Sequence, residues 1–437
     1  MGIKVVKFGG SSLADAGQFK KVSEIILSDQ ERKYVVPSAP GKRFSGDTKV
    51  TDMLYACYDE SSKNGRISEL FIQIKERYNE IIKGLALSIS LEEEYKKIEQ
   101  GFIGKAGRDY AASRGEYLNG ILLAEYLRFD FIDAAEVIFF KNDGNFDAGR
   151  TNEILSKRLS SCKNAVIPGF YGVMPNDTIK TFSRGGSDIS GAIVARAASA
   201  DVYENWTDVS GFLIADPRIV ENPKPIASIT YRELRELSYM GATVLHEDSI
   251  FPVKTAGIPI HIKNTNAPND KGTEIVTECR NADISIITGI AGKKDFSVIT
   301  LEKDMMNEEL GFGRKVLEVL EENKMSFEHL PSGIDTMSIV INDKEFSGKE
   351  QQIISALSNA VLPDSINTEK NIALIAVVGR GMIKTKGTAA RVFKALADAD
   401  INIRMIDQGS SELNIIVGVD NADFEKSIRT IYSHLIG

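Results

Sequence analysis

The chain has 437 residues, enough for two or three domains with sizeable hydrophobic cores. It is 43% hydrophobic and 26% charged with a formal net charge of −8, which is typical of a globular protein and argues against nucleic acid as the main partner. Its apolar runs fall short of the roughly 20 residues of a membrane span and its strand-like start leaves no room for a signal peptide, so we expect a cytoplasmic protein with no membrane partner. Its three cysteines lack CxxC spacing, so we expect no disulfide framework and no structural zinc site.

The first predicted element is a short buried strand that runs into a glycine turn. The apolar run 3–6 predicts the strand, and Lys7-Phe8-Gly9-Gly10-Ser11-Ser12 predicts a turn leading to a helix that begins near Ser12 or Asp15. Because glycines lack Cβ atoms, backbone N–H groups there can approach an anion, and Lys7 and a helix N-terminus add positive charge. The segment fits a phosphate-binding turn, or an ordinary turn with a surface lysine.

The following residues, up to about 285, alternate strand-like runs with helical patterns, which predicts an α/β sheet domain. Apolar positions at helical spacing predict a long amphipathic helix over 67–82. Further strands are predicted at 34–38, 164–170, 200–206 and 259–264. The last of these strands is expected to end the sheet, and the polar segment after it to form a loop at the domain edge.

Two polar clusters stand where helices are predicted to begin. Ser113-Arg114-Gly115-Glu116 opens a helix through Leu127, and Glu116 is either a helix-dipole partner or a ligand for a substrate amine. In the second cluster, 183–188, Arg184 offers a planar fork for a carboxylate or phosphate, or is an ordinary surface arginine. Asp188 is better suited to position a lysine than to contact a phosphate directly.

A third cluster follows a predicted strand. It reads Trp206-Thr207-Asp208-Val209-Ser210-Gly211 and continues to Ala215-Asp216-Pro217-Arg218, so Thr207 and Asp208 lie at the carboxyl end of a strand, where open α/β sheets bind ligands. Taken alone, 216–218 would be a turn with a solvated arginine. The sequence has no GxxxxGK[ST] loop and no GxGxxG after the first strand.

The rest of the chain contains an internal repeat with an offset of 76 residues. The strand-like run 296–301 aligns without a gap with 372–377, and 338–341 with 414–417. Each copy is predicted to contain a strand, a loop, a helix, two more strands and a second helix, with a strand at 325–327 in the first copy. A duplicated unit after an α/β domain indicates a regulatory part, or one that only mediates dimerisation.

Together these clusters resemble the amino acid kinase family, and within it the aspartate kinases. The family patterns K-F-G-G-[ST]-S, S-x-G-E, R-G-G-S-D and W-T-D-V-x-G with A-D-P-R correspond to 7–12, 113–116, 184–188 and 206–218. The repeat resembles a pair of ACT domains, which are small amino-acid sensors. The resemblance implies an α/β kinase domain with an open, mostly parallel sheet sandwiched by helices, followed by two ferredoxin-like α+β domains. The implied boundaries are 1–285, 286–365 and 366–437.

The resemblance implies transfer of a phosphoryl group from ATP, with Mg²⁺, to L-aspartate, giving ADP and 4-phospho-L-aspartate for lysine, threonine and methionine synthesis. Lys7 would stabilise charge on the moving group, Asp188 would hold Lys7, Arg184 would bind the α-carboxylate, and Glu116 the α-amino group. The implied ATP-binding residues are Lys7, Gly9, Gly10, Ser11, Thr207, Asp208 and Arg218. The implied aspartate-binding residues are Ser38, Thr51, Glu116, Phe170, Arg184, Gly185, Gly186 and Ser187. No protein ligand for a metal is implied.

Some positions depart from the family pattern. Thr243 replaces the lysine that usually reaches the nucleotide, Ser183 replaces a glycine, and the loop 40–50 before Thr51 is longer than in many members. ATP affinity is therefore expected to rest on other groups, and the assignment of Thr51 is less direct.

The resemblance also implies an effector site in the first repeat. Its residues are Met306, Gly311, Phe312 and Glu328. Glu328 would pair with an effector ammonium, or is a solvated strand residue; Arg404 occupies the equivalent position in the second copy. We expect feedback inhibition by lysine, with threonine as the alternative, and a homodimer or homotetramer formed through the ACT domains.

Two other functions compete with this one. Another amino acid kinase, such as glutamate 5-kinase or a nucleotide monophosphate kinase, would not explain 113–116 or the ACT pair. A non-catalytic amino-acid sensor would not explain Lys7, Arg184 and Asp188, although Thr243 leaves that possibility open.

Overall fold

The computed structural model describes residues 2–183, 185–242, 245, 247–279 and 285–436. The chain divides into two compact units. The first contains Met1–Phe212, Pro225–Tyr231 and Thr243–Cys279, and the second contains Leu213–Lys224, Arg232–Ala242 and Arg280–Gly437. Two short segments that precede residue 243 therefore belong to the second unit. The implied boundaries at 285 and 365 remain predictions.

An eight-stranded sheet forms the centre of the first unit, as far as the described residues show it. Its order is β3-β4-β2-β1-β7-β9-β10-β8, and every neighbouring pair is parallel except β9 and β10. The strands are β1 (Lys4–Phe8), β2 (Arg32–Pro37), β3 (Asp130–Phe131), β4 (Ala165–Val166), β7 (Val202–Thr207), β8 (Ser228–Thr230), β9 (Ile260–Asn264) and β10 (Thr273–Val276); a separate hairpin pairs β5 (Tyr171–Val173) with β6 (Ile179–Thr181).

The mostly parallel α/β fold is confirmed, with one correction at its edge. The strand at 259–264 was expected to be the last, but β10 follows it and pairs antiparallel with β9. Thr273 and Ile275 of β10 are fully buried, which is why this short segment joins the sheet.

Helices surround the sheet of the first unit. They are α1 (Ala16–Leu27), α2 (Val50–Asn64), α3 (Leu70–Gly84), α4 (Glu92–Ile103), α5 (Arg108–Leu127), α6 (Ala134–Val137), α7 (Ala148–Ser160), α8 (Gly186–Ala197) and α10 (Glu247–Ala256), whereas α9 (Tyr231–Tyr239) belongs to the second unit from Arg232 onward. The amphipathic pattern at 67–82 corresponds to α3, which buries Phe71, Ile74 and Tyr78. Phe8 of β1 stacks on Trp206 of β7, with 5.9 Å between ring centroids, inside the core that these helices cover.

Helix α5 begins earlier than the sequence pattern predicted. Ser113 was expected to open the helix, but α5 starts at Arg108 after Gly107, whose φ is +107°. Ala111 and Ala112 favour helix and are fully buried, so they extend α5 toward its N-terminus. Glu116 therefore lies inside the helix, and a favourable interaction with the helix dipole does not account for it.

The second unit contains one antiparallel sheet in the order β12-β11-β13-β15-β14. Its strands are β11 (Gly289–Glu302), β12 (Thr336–Asn342), β13 (Ser365–Val378), β14 (Met405–Asp407) and β15 (Asn414–Asp420), and its helices are α11 (Phe312–Glu322), α12 (Asp343–Phe346), α13 (Glu350–Val361), α14 (Thr388–Asp398) and α15 (Phe424–Leu435). The duplicated architecture is confirmed, but the strand predicted at 325–327 is wrong. Phe327 is 42% exposed, and the described residues that follow it make two isolated bridges, between His329 and Val340 and between Ser332 and Met337.

Each repeat copy has its own core. The first core is formed between β11, β12, α11 and α13, and the second between β13, β15, α14 and α15. The second core also includes Ile287, Ile290, Ala215 and Val220. Within this unit, buried Glu233 of α9 accepts hydrogen bonds from Thr288 (2.6 Å) and Arg380 (2.7 Å). No helix in the described part of the chain is both long and apolar enough to cross a membrane.

Candidate active site

The glycine turn lies at the carboxyl end of β1, whose neighbours in the sheet are β2 and β7. The N–H of Gly9 donates to the backbone oxygen of Trp206 at 3.0 Å, so it holds the turn against β7. Within the described residues, the N–H groups of Gly10 and Ser11 have no acceptor. These two amides are therefore the backbone donors that the turn offers to an anion.

Lys7 is a nearly buried cation that points to the start of α8. Its side chain is 9% exposed, and Nζ lies 2.6 Å from Oδ1 of Asp188. That oxygen also accepts from Nδ2 of Asn205 on β7, at 2.9 Å. A Cβ atom at Gly9 would lie 3.6 Å from the Lys7 ammonium, so glycine keeps this space open. Lys7 and Asp188, which lie far apart in sequence, thus come together as the resemblance implied.

Glu116 is a buried carboxyl group in the middle of α5. Its Oε2 has no hydrogen-bond partner among the described residues. Burial is the main cause that raises the pKa of Glu116 to about 8, opposed by a backbone hydrogen bond from Ala39. Asn119, three residues further along the same helix face, donates to the Ser38 backbone oxygen at 2.6 Å, while its Oδ1 also lacks a partner. Buried acceptors without donors fit a ligand that brings N–H groups.

Phe170 forms a strained corner beside the start of α8. Its φ of +80° is unusual for a residue with a bulky side chain, and its N–H donates to Ser190 Oγ at 2.9 Å. A Cβ atom at Gly186 would lie 2.3 Å from Cδ2 of Phe170, so the ring lies directly on this glycine. Gly185 caps α8 with φ +60°, and the half-buried Ser187 follows in the first turn.

The other predicted aspartate-binding residues have clear places in the first unit. Ser38 follows β2 and donates its N–H to Phe8 at 3.0 Å, and Thr51 lies in the first turn of α2. Arg184 lies outside the described residues, as does Thr243 at the position of the usual nucleotide lysine.

The predicted nucleotide residues beyond the glycine turn fall into both units. Thr207 ends β7, and its hydroxyl donates to Oδ1 of Asp208 at 3.2 Å. Arg218 belongs to Leu213–Lys224 of the second unit. Its side chain is 87% exposed and pairs with Asp216 at 2.6 Å. Its role in nucleotide binding stays a prediction.

The predicted effector residues differ in what they offer to a ligand. Met306 and Phe312 are buried in the first repeat core, and Gly311 caps α11 with φ +84°. Glu328 is half-buried, and its Oε2 accepts from the hydroxyl of Tyr239 at 2.6 Å. Burial and this hydrogen bond raise the pKa of Tyr239 to about 12, so Tyr239 is a neutral donor to a carboxylate.

Two neighbours of the site were not predicted from the sequence. Asn205 and Asn119 are 3% and 0% exposed, and each donates to a residue of the predicted site. The sequence could have indicated them as asparagines inside a strand or helix whose other residues are predicted to be buried, since a buried amide side chain needs a hydrogen-bond partner. In the described ranges, no group of three or more His, Cys, Asp or Glu residues could hold a metal ion.

Comparisons with known proteins agree with this geometry. The model of the amino acid kinase family matches residues 2–264, and an ACT domain model matches 375–435. Aspartokinase 3 of Bacillus subtilis is 40% identical over 445 residues, 98% of each chain. The crystal structure of Clostridium acetobutylicum aspartate kinase has a TM-score of 0.91 at 54% identity, and covers 100% of both chains. Escherichia coli aspartokinase III, at 25% identity and full coverage of both chains, has a TM-score of 0.74 with aspartate and ADP bound (R-state) and 0.71 with lysine and aspartate bound (T-state).

Proposed function

The chain belongs to the aspartokinases of the amino acid kinase family, and we propose that it transfers the γ-phosphoryl group of ATP to the side-chain carboxylate of L-aspartate beside Lys7. The observation that carries this proposal is the Lys7–Asp188–Asn205 chain of contacts, next to a glycine turn with two amides that have no acceptor among the described residues. The products are ADP and 4-phospho-L-aspartate.

The proposed role of Lys7 follows from its charge and burial. Phosphoryl transfer depends on positioning and on neutralising negative charge more than on covalent catalysis. A cation that is largely removed from water interacts strongly with charge that develops on the transferred group. Asp188 keeps the Lys7 ammonium in one place, and the amides of Gly10 and Ser11 add donors for phosphate oxygens.

For aspartate we propose a pocket between α5, the end of β2 and the start of α8. Glu116 receives the substrate α-ammonium, which would supply the donor that its buried oxygen lacks in the part of the chain that the structure describes. Arg184 binds the α-carboxylate, and Ser38, Thr51, Phe170 and residues 185–187 line the pocket.

We propose that Mg²⁺ enters with ATP and is held largely by the phosphates and water. Thr207, Asp208 and Arg218 contact the nucleotide in this proposal. Omitting Mg²⁺ from the assay below is expected to abolish turnover.

A hydroxamate assay tests the reaction, because hydroxylamine traps an acyl phosphate. With ATP and Mg²⁺ we expect product from aspartate and none from glutamate. UMP is tested in parallel by ADP release, since its product is not an acyl phosphate. No product from aspartate, with turnover on glutamate or UMP, would refute the proposal and favour another amino acid kinase.

We also propose feedback inhibition by lysine at Glu328. A carboxylate that accepts only a neutral hydroxyl among its described contacts is suited to exchange it for an ammonium. We expect Glu328→Gln to weaken lysine inhibition at least tenfold with little change in kcat, whereas Glu318→Gln, at an exposed position of α11, should not. Inhibition by threonine and not by lysine would refute the effector assignment.

The cytoplasmic location and a homodimer or homotetramer formed through the ACT domains also remain proposals. Sedimentation velocity of the purified protein would determine the oligomeric state.

A further inference from the structure

Arg77 of α3 is a buried arginine without a role in the reaction described above. It is 5% exposed, and its guanidinium reaches two other parts of the chain. Nη1 donates to Asp47 at 2.7 Å, and Nη2 donates to the backbone oxygens of Gly41 at 2.7 Å and Ala14 at 3.1 Å. Because Ala14 directly follows the 3-10 turn 10–13, Arg77 links the loop 40–49 to the end of the glycine turn.

The loop 40–49 depends on these hydrogen bonds because few of its side chains pack against the rest of the unit. Its residues from 42 to 49 are exposed except for Asp47. Cavities of about 270 and 370 Å³ adjoin Arg77 and the loop residue Arg43. Arg43 also pairs with Asp47, at 2.9 Å, but its side chain is 36% exposed, against 4% for Arg77. Arg43 belongs to the loop itself, and its contact with Glu80 of α3, at 3.2 Å, joins side chains that are 36% and 68% exposed, so Arg77 is the firmer link between the loop and α3.

The base of the loop rests on the glycine turn itself. The N–H of Gly41 donates to the backbone oxygen of Gly10 at 2.8 Å, and a Cβ atom at Gly41 would lie 2.5 Å from the Gly10 carbonyl carbon. The N–H of Val50 donates to Pro40 at 3.2 Å and closes the loop. Ser38 precedes this closure and Thr51 follows it, so both flank the base of the loop, and Thr51 depends on the loop more than Ser38, whose backbone is also held by Phe8 and Asn119.

We propose that Arg77 is a positioning residue for the reaction, which holds the loop 40–49 so that Ser38 and Thr51 meet aspartate in the correct place. This inference rests on the proposed roles of Ser38 and Thr51. A displacement of about 1 Å at a substrate contact can cost about a hundredfold in rate.

The test compares Arg77→Gln with Arg43→Gln, which removes the exposed partner of the same carboxylate. We expect Arg77→Gln to raise KM for aspartate about tenfold or more, to change KM for ATP much less, and to speed hydrogen exchange of the amides in 41–49. The ATP site should change less because the glycine turn, although Gly10 contacts Gly41 of the loop, is also held by the hydrogen bond from Gly9 to Trp206. Arg43→Gln should leave both KM values nearly unchanged.

Asp47→Asn is a second variant in case Arg77→Gln does not fold. It weakens the charged contact while Arg77 keeps its two backbone acceptors, so a smaller rise in aspartate KM is expected. An unchanged aspartate KM and unchanged loop exchange in a folded Arg77 variant would overturn the proposal. A third outcome is faster exchange in Arg77→Gln with an aspartate KM that stays unchanged in Arg77→Gln, Ser38→Ala and Thr51→Val. That outcome would refute positioning of aspartate through Ser38 and Thr51, whereas the kinase activity itself would stand.

Discussion

Glu116 leads to a prediction in which stability and substrate binding change in opposite directions. Burial raises the pKa of this carboxyl group from 4.5 to about 8. Between these two pH values the unfolded chain releases a proton that the folded protein keeps, so the free energy of unfolding falls as pH rises and levels off above pH 8. Below pH 4.5 the Glu116 carboxyl group is protonated in both the folded and the unfolded state, so its burial adds little pH dependence to the free energy of unfolding.

The magnitude follows from the shift. At pH 7 the group lies 2.5 units above its unfolded pKa, which at about 1.4 kcal/mol per unit lowers stability by about 3 kcal/mol. Above pH 8 the limit is about 5 kcal/mol for the full shift of 3.5 units. Glu116→Gln has nearly the same shape and no charge, so it should be more stable than the parent chain by these amounts.

The assay is urea unfolding at pH 5, 7 and 9, followed by the fluorescence of Trp206. This residue is the single tryptophan of the chain and is 1% exposed in the first unit, so its emission reports on the unit that holds Glu116. The stability gain of Glu116→Gln should increase from about 1 kcal/mol at pH 5 to more than about 4 kcal/mol at pH 9. Glu125→Gln, an exposed position on the same helix, should show no such trend.

The same substitution should weaken aspartate binding. Losing a charge-assisted hydrogen bond to the substrate ammonium is expected to raise KM for aspartate about 10–100-fold. In the parent enzyme, KM for aspartate should fall about tenfold from pH 7 to pH 9 as Glu116 ionises, and this dependence should vanish in Glu116→Gln. A variant that is less stable than the parent at pH 9, or one that keeps the parent KM, would refute the reasoning.

The remaining predictions concern three other contacts. Lys7→Ala should lower kcat about a thousandfold, because it removes charge stabilisation, and raise aspartate KM far less; an unchanged kcat would refute the assigned role. Asn205→Ala should lower kcat about tenfold by releasing Asp188, and Asn205→Asp should not restore it, since a carboxylate cannot donate; steady-state kinetics measure both. Arg380→Ala should destabilise the protein by about 3–5 kcal/mol in thermal or denaturant unfolding, because it removes an ion pair to fully buried Glu233, whereas Arg314→Ala at the exposed pair with Glu318 should cost less than about 1 kcal/mol.

The sequence predicted elements whose residues are neighbours along the chain. The turn after β1, the pattern of α3 and the repeat could be identified because spacing and glycine content are local properties. The contacts that complete the site depend on register between distant segments. Asn205 meets Asp188, and Arg77 meets Asp47, only once the chain has folded, and no local pattern records those distances.

The start of α5 shows how tertiary burial modifies a local prediction. The S-x-G-E pattern favoured a helix start at Ser113, whereas buried alanines extend the helix back to Arg108. That shift removes the interpretation of Glu116 as a helix-dipole partner in a first helical turn and leaves a carboxyl group that is enclosed by the core. The high pKa and the missing hydrogen-bond partner both follow from this enclosure.

The division of the chain has a practical consequence for exchanging regulatory parts between relatives. The core of the second repeat contains Ala215 and Val220, and Arg380 pairs with Glu233, so part of this regulatory unit is encoded before residue 243. A single splice near residue 285 would transplant β11 to α15 without these partners. A functional chimera should therefore take Leu213–Lys224 and Arg232–Ala242 from the same parent as the C-terminal part. The regulatory unit is thus exchanged as three separate segments of sequence.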